Sequence, residues 1–80
     1  MIKAQIFVTL RAGVLDPQGS AIGHTLNGLG FAELSSIRQG KYYEVELATD
    51  DRKLAQAQLE KYCQTVIANP VIESFRIEIL

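Results

Sequence analysis

The residues best suited to covalent chemistry in this chain are few and lie far apart. Cysteine and histidine occur once each, as Cys63 and His24. A cysteine nucleophile needs a general base within hydrogen-bond reach and a third group that orients this base. Cys63 falls on the apolar stripe of a predicted helix, where a cysteine acts as a small hydrophobic side chain, and His24 falls on the polar side of another helix, facing solvent or a partner. The sequence therefore predicts no catalytic residue and no metal site, since one imidazole and one thiol on different helices give no ligand spacing.

Two other patterns favour ordinary structural roles. Glu44 and Glu46 share one face of a predicted strand, which is typical of a solvated surface rather than of an acid–base pair. Gly28-Leu29-Gly30 follows a predicted helix instead of opening one, which is the wrong end of a helix for binding phosphate.

A basic and aromatic cluster surrounds Gly40. Arg38 and Lys41 bracket this glycine and are followed by Tyr42 and Tyr43, and cations beside aromatic rings can bind RNA. The formal net charge of −1 removes the electrostatic attraction that usually drives nucleic-acid binding. We therefore expect no nucleic-acid partner, and the two cations should pair with a protein partner or lie in solvent.

Composition indicates one small globular domain, residues 1–80. The chain has 80 residues, of which 48% are hydrophobic and 21% charged, an ordinary composition for a folded soluble protein. No apolar run approaches the roughly 20 residues that span a bilayer, and the first residues alternate like a strand rather than forming a signal peptide. We expect a cytoplasmic protein without a membrane partner and without a disulfide.

The positions of apolar residues and helix caps predict the element order β-α-β-β-α-β. A strand alternates from Ile2 to Leu10, and Asp16-Pro17 is a helix start, with the carboxylate as N-cap and proline at the first helical position. This helix should end near Leu29, a second strand should begin near Ala32 or Glu33, and a hairpin at Gly40-Lys41 should lead into a third strand ending at Leu47. A second helix should follow Asp51 and end at Asn69-Pro70, before a last strand. This order predicts an α+β, ferredoxin-like fold with a four-stranded antiparallel sheet and two helices on one face.

Two glycines inside the first helix need a cause, because a helical glycine costs about 1 kcal/mol relative to alanine. Gly19 and Gly23 lie along the flank of the apolar stripe. One interpretation is close packing of the helix on the sheet. The other is that Gly19, in the first turn, lets a partner chain approach the backbone.

The second face of the predicted sheet is less polar than a solvated face should be. Its apolar members are Phe7, Tyr42, Ile72 and Leu80. An exposed mixed patch of this kind on a small domain suggests self-association, so we expect a homodimer or a higher oligomer through this face or through a strand edge.

Three runs of residues give the chain a family resemblance. They are Val14-Leu15-Asp16-Pro17-Gln18-Gly19, then Ile37-Arg38-Gln39-Gly40-Lys41-Tyr42, then Leu59 to Ala68-Asn69-Pro70-Val71-Ile72-Glu73. Over essentially its whole length the chain resembles the small, PurS-type subunit of phosphoribosylformylglycinamidine synthase.

The resemblance implies a multi-subunit ligase of purine biosynthesis that converts formylglycinamide ribonucleotide to the amidine, with ATP and ammonia from glutamine. It further implies a non-catalytic adaptor that bridges the large synthase subunit and the glutaminase subunit and supports ammonia transfer. ATP and magnesium would bind the large subunit, and this chain would carry no cofactor.

The resemblance also marks candidate site residues. The matching positions are Leu15, Asp16, Pro17, Gln18 and Gly19, then Arg38, Gly40 and Lys41, then Asn69, Val71, Ile72 and Glu73. We interpret them as partner-facing or backbone-shaping. Pro70 directly after Asn69 departs from the commoner family pattern. We expect Asp16→Ala to remove a helix cap, and Arg38→Ala and Lys41→Ala to leave folding intact and weaken assembly.

A second function class shares this order of strands and helices. Small regulatory modules of the ACT type often dimerise and bind an amino acid near the first loop and helix start. Amino acids should raise the melting temperature of such a module by mass action, whereas an adaptor should not respond.

Overall fold

A three-stranded antiparallel sheet forms the centre of the protein, which we describe from a computed structural model of residues 1–80. The strands are β1 (Ile2–Leu10), β2 (Gly40–Leu47) and β3 (Glu73–Ile79), in the spatial order β2-β1-β3. Phe7 of β1 lies opposite Tyr42 on one side and Arg76 on the other, which fixes both registers. The strand with the clearest period-two alternation is thus the central one.

The predicted four-stranded sheet is wrong, because the expected strand near Ala32 or Glu33 does not form. Residues 31–39 contain turns and irregular backbone, and β2 begins directly at Gly40. In this segment Leu34 and Ile37 are three positions apart, so a regular strand would place them on opposite faces. The mixed α+β class with two helices remains compatible with the structure.

Both helices begin at aspartate caps. Helix α1 (Pro17–Gly28) starts after Asp16, whose Oδ1 accepts the backbone N–H of Gly19 at 2.9 Å. Helix α2 (Arg52–Tyr62) starts after Asp51, whose Oδ1 accepts two backbone N–H groups of the first turn. α2 continues as a π-helical turn (Cys63–Ile67) and stops at the extended residue Ala68, just before Asn69-Pro70.

The core lies between one face of the sheet, the inner face, and α2. The alternate residues of β1 from Ile2 to Val8 point to this face and are buried. Ala55 and Leu59 of α2 and Cys63 of the π-helical turn are buried as well. The buried set is Ile2, Ala4, Ile6, Val8, Leu47, Ala55, Leu59, Cys63 and Ala68. None of these residues belongs to α1.

Helix α1 lies outside this core and makes the molecule long. The radius of gyration is 16.1 Å and the dimensions are 49 × 24 × 14 Å, whereas a compact chain of this length has a radius of gyration of about 12 Å. Gly19 is the one buried residue of α1. We call residues 17–37, which comprise α1 and the segment that follows it, the arm.

Gly19 and Gly23 of α1 lie against Ile37, which belongs to the same arm. A Cβ placed on Gly19 would lie 2.9 Å from the carbonyl oxygen of Ile37, and one on Gly23 would lie 3.3 Å from the Cγ2 of the same residue. The small residues of α1 therefore allow close contact with the segment that follows α1 in the chain. Close packing against Ile37, and not against the sheet, therefore explains the small residues at Gly19 and Gly23.

No helix combines the length and the apolar character that crossing a bilayer requires.

Candidate functional site

A groove of about 260 Å³ lies on the inner face of the sheet, where the arm joins it. It is lined by Val8, Thr9, Leu10, Asp16, Pro17, Gln18, Gln39, Gly40, Lys41 and Glu73. Residues from all three motif runs thus meet at one place, although they are far apart in the sequence. The structure brings together here six of the positions that the resemblance marked, namely Asp16, Pro17, Gln18, Gly40, Lys41 and Glu73.

Asp16 closes the base of the arm. Its Oδ1 caps α1, and its Oδ2 accepts the backbone N–H of Gln39 at 2.8 Å. The hydrogen bond from Gln39, then the one from Gly19 and the nearby charge of Arg38, hold the pKa of this carboxyl below its usual value. The carboxylate therefore joins the start of α1 to the residue that precedes β2.

Arg38 also binds backbone of its own chain. Its guanidinium donates to the carbonyl oxygens of Leu10 and Arg11, the latter at 3.2 Å. These carbonyls lie at the end of β1, beyond its last pair with β2, Thr9 opposite Gly40. Of the two interpretations drawn from the sequence, these contacts favour the backbone-shaping one for Arg38.

Two motif glycines allow backbone segments to approach each other. A Cβ on Gly40 would lie 2.6 Å from the carbonyl oxygen of Val8, closer than real Cβ atoms come. A Cβ on Gly19 would lie 2.4 Å from Oδ2 of Asp16, so a side chain there would displace the carboxylate from its two hydrogen bonds. Glycine is thus required at both positions by the geometry of the arm's base.

Lys41 and Glu73 face each other across the central strand. Their Nζ and Oε2 atoms are 3.7 Å apart, with the lysine side chain 59% exposed and the glutamate side chain 13% exposed. The second carboxylate oxygen of Glu73 accepts the backbone N–H of Asn69 at 2.7 Å. Asn69 in turn accepts the N–H of Val71 on its side-chain oxygen at 3.1 Å, which shapes the turn before β3. Glu73 and Asn69 are thus held internally, while the ammonium of Lys41 reaches toward solvent.

The four apolar residues proposed for self-association do not form one patch. On the outer face of the sheet, Phe7 and Tyr42 stack with ring centroids 5.2 Å apart and planes tilted by 40°. The guanidinium of Arg76 lies 4.4 Å from the Phe7 centroid. Ile72 and Leu80 lie apart from this pair, just beyond the two ends of β3.

Sequence reasoning missed two members of these clusters. Gln39 contributes through its backbone N–H, for which side-chain type gives no signal. Arg76 occupies an outward position of an alternating strand, but its place over Phe7 follows only from the register between β1 and β3.

The groove is lined by neither the cysteine nor the histidine of the chain. Cys63 is fully buried in the core, and burial raises the pKa of its thiol. His24 is exposed on the arm. No three His, Cys, Asp or Glu side chains lie close enough together to hold a metal ion. What the groove presents is a lysine ammonium, the amide of Gln18 and an apolar floor formed by Val8 and Leu10.

A family model described as PurS, phosphoribosylformylglycinamidine (FGAM) synthase, matches residues 3–80. The chain belongs to the PurS family. It is 39% identical over 79 residues to the PurS subunit of Bacillus subtilis (strain 168), covering 99% of this chain and 93% of that one. It is 44% identical over 75 residues to the PurS subunit of Synechocystis sp., covering 94% of this chain and 75% of the relative.

Solved PurS structures have the same fold. PurS of Methanocaldococcus jannaschii superposes with a TM-score of 0.90 at 30% identity, over 100% of this chain and 96% of that chain. A chain in the structure of PurLQS from Thermotoga maritima superposes with a TM-score of 0.90 at 28% identity, over 99% and 96% of the two chains. The predicted family is confirmed, and with it the assignment of the chain as a small subunit of a purine-biosynthetic ligase. The similarity supports this function and not the ACT-type alternative.

Proposed function

We propose that this PurS-family chain is the non-catalytic adaptor of its synthase, bridging the large ATP-dependent subunit and the glutaminase subunit and supporting the transfer of ammonia between them. The observation that carries the proposal is the groove at the base of the arm. Its motif residues organise backbone or present binding groups, and it contains neither a cysteine nor a histidine. The likeness to a chain of PurLQS from Thermotoga maritima supports an assembly of this kind.

The motif residues divide into two roles under this proposal. Asp16, Gly19, Arg38, Gly40 and Asn69 keep the arm and the ends of the strands in place, as their internal hydrogen bonds and close contacts indicate. Lys41 and Gln18 stand at the groove with exposed side chains. They are the residues we assign to contact with a partner subunit, together with the exposed Pro17 beside them.

The partner subunits supply what this chain lacks. ATP and magnesium belong on the large synthase subunit, and the glutaminase subunit provides the nucleophile that releases ammonia. We place the assembly in the cytoplasm, where the other steps of purine synthesis would use its product. A lysine ammonium at the groove suits a carboxylate or a backbone carbonyl of either partner, because a cation gains most from an anionic or strongly polar acceptor.

Reconstitution from separately purified subunits tests the adaptor role. The three subunits from one source are mixed, and ligation is measured with glutamine and, in parallel, with ammonium chloride as the nitrogen donor. Omitting this chain should abolish ligation from glutamine. If ligation from glutamine is the same with and without this chain, the adaptor proposal fails.

Matched variants of the chain test the residue assignment. Lys41→Ala and Gln18→Ala should lower glutamine-dependent ligation and weaken assembly, with unchanged melting temperature. Lys61→Ala removes an equally basic side chain from the exposed surface of α2 and should have no effect. Equal losses for Lys41→Ala and Lys61→Ala would show that the groove is not the contact site.

A further inference from the structure

The chain contains two asparagines, and the residues that follow them differ in their backbone nitrogen. Asn27 precedes Gly28, whereas Asn69 precedes Pro70. The nitrogen of the following residue can attack the side-chain carboxamide of asparagine only if it carries a hydrogen that it can lose. Glycine has such an N–H and no Cβ to obstruct it, whereas proline has no N–H at all. Only the pair Asn27-Gly28 can therefore react with itself in this way.

The structure leaves this pair open to water. Asn27 and Gly28 are both exposed, and a Cβ placed on Gly28 would meet no atom within 4 Å. Asn27 lines a cavity of about 390 Å³ on the polar side of α1, together with His24. The other asparagine is held in place, since Oδ1 of Asn69 accepts the backbone N–H of Val71 at 3.1 Å.

The end of α1 is weakly held, which matters because helical backbone angles keep the Gly28 nitrogen away from the Asn27 carboxamide. α1 has 12 residues, three of them glycines, and Gly19 is the only one that is buried. Isolated helices shorter than about 12–15 residues are marginal in water, and glycine weakens them further. α1 ends at Gly28, and the N–H of the next residue, Leu29, is shared between two carbonyl oxygens at 3.1 Å each. Because the ends of such helices open without global unfolding, the attacking geometry is reached from the folded chain.

We propose that Asn27 is a site of spontaneous deamidation in the folded protein. The nitrogen of Gly28 forms a bond to Cγ of Asn27, and its proton passes through water to the carboxamide nitrogen. The bond from Cγ to that nitrogen breaks, ammonia leaves, and a five-membered cyclic imide remains. One water molecule then opens the imide at either carbonyl, which gives aspartate or isoaspartate at position 27. The sum is hydrolysis of one amide to a carboxylic acid and ammonia.

Both products change the arm. Glu33 is the one formally charged residue among residues 17–37, so the reaction adds a second negative charge. The new carboxylate lies in the last turn of α1, where the helix dipole disfavours an anion. Isoaspartate also routes the main chain through the former side chain, which is incompatible with a regular helix. The modified arm should therefore lose helical structure at its tip.

Ageing the isolated folded chain in ¹⁸O-labelled water tests the site. Trypsin then yields the peptides 12–38 and 62–76, which hold one asparagine each. Tandem mass spectrometry should locate an acid with the heavy oxygen at residue 27, while residue 69 keeps its amide. The label separates ageing from deamidation during the digest. Two results would overturn the proposal: an Asn27 that stays intact in the time in which urea-unfolded chains convert, or equal conversion of Asn27 and Asn69.

Two variants test the proposed chemistry. Gly28→Ala should slow the conversion, because a Cβ obstructs the attack and alanine strengthens the last turn, and its melting temperature reports that it folds. Asn27→Gln would have to close a larger ring and should release far less ammonia than the wild type. Release at the wild-type rate by either variant would contradict the mechanism. The test needs no other subunit, so its outcome is independent of the adaptor role.

Discussion

The Oδ2 atom of Asp16 accepts the backbone N–H of Gln39, 23 residues further along the chain, at 2.8 Å. The Oδ1 atom of the same carboxylate caps α1. One side chain thus determines where the arm leaves the sheet and where it returns. A cap of this kind ordinarily stabilises only the helix that follows it. Here it also closes the loop of residues between α1 and β2, because the second oxygen is free to accept a distant donor.

Stability should fall at acid pH through Asp16. The pKa of this carboxyl is lowered in the folded chain by the hydrogen bonds from Gln39 and Gly19. A lowered folded pKa contributes stability that is present above the unfolded value of about 3.9 and is lost as the pH falls through the folded value. Asp16→Asn should therefore lower the urea midpoint at neutral pH and show a smaller further decrease below about pH 4 than the wild type does.

The control for this acid dependence is Glu44→Gln, which removes an exposed carboxylate from the outer face of the sheet. It should keep the wild-type decrease. If Asp16→Asn and the wild type lose equal stability between neutral and acid pH, the hydrogen bonds of Asp16 do not account for the effect.

Gly40→Ala should destabilise the fold. The added Cβ would meet the carbonyl oxygen of Val8 at 2.6 Å, and backbone on both strands would have to move. Overpacking of this kind costs about 1–3 kcal/mol. Thermal or urea unfolding would measure the loss.

Gly28→Ala is the matched glycine change. A Cβ at Gly28, the last residue of α1, meets no atom within 4 Å, and alanine is favoured over glycine in a helix by about 1 kcal/mol. We expect unchanged or slightly raised stability. Similar destabilisation by both changes would mean that the contact with Val8 is not the cause.

Arg38→Ala should lower stability as well as assembly, which revises the expectation drawn from the sequence. The guanidinium donates to the carbonyl oxygens of Leu10 and Arg11 at the end of β1. Hydrogen bonds of this type contribute about 0.5–1.5 kcal/mol each to the free energy of unfolding. Because both bonds are exposed to solvent, we expect a loss near the lower end of this range.

Lys53→Ala gives the comparison for Arg38→Ala, since it removes an exposed cation from the first turn of α2. Its urea midpoint should match that of the wild type. An Arg38→Ala protein with wild-type stability and impaired assembly would restore the partner-facing interpretation.

Cys63 should react slowly with thiol reagents in the folded protein. Its side chain is fully buried, and burial raises the pKa of the thiol, so little of the reactive thiolate forms at mild alkaline pH. The rate of reaction with a chromogenic disulfide should rise sharply once urea unfolds the chain. Val66→Cys adds a thiol at an 86% exposed position of the same π-helical turn and should react in the folded state. Equal rates for the two thiols would show that the core around Cys63 is open.

Local sequence patterns predicted the elements that depend on neighbouring residues. Period-two alternation marked β1, and the aspartate caps marked the starts of α1 and α2, because caps and faces follow from residues within a few positions. The motif runs indicated the family and most residues of the groove. The prediction from alternation failed at residues 31–39, where a regular strand would place Leu34 and Ile37 on opposite faces.

The sequence by itself determined the central strand, both helix starts and the family. It also determined the apolar stripe that carries Leu59 of α2 and Cys63 of the π-helical turn. Only the tertiary structure decided that the sheet has three strands, that the arm leaves the core, and that Asp16, Lys41 and Glu73 meet at one groove. Strand pairing and helix placement depend on contacts between residues far apart in the chain, for which local periodicity carries no information.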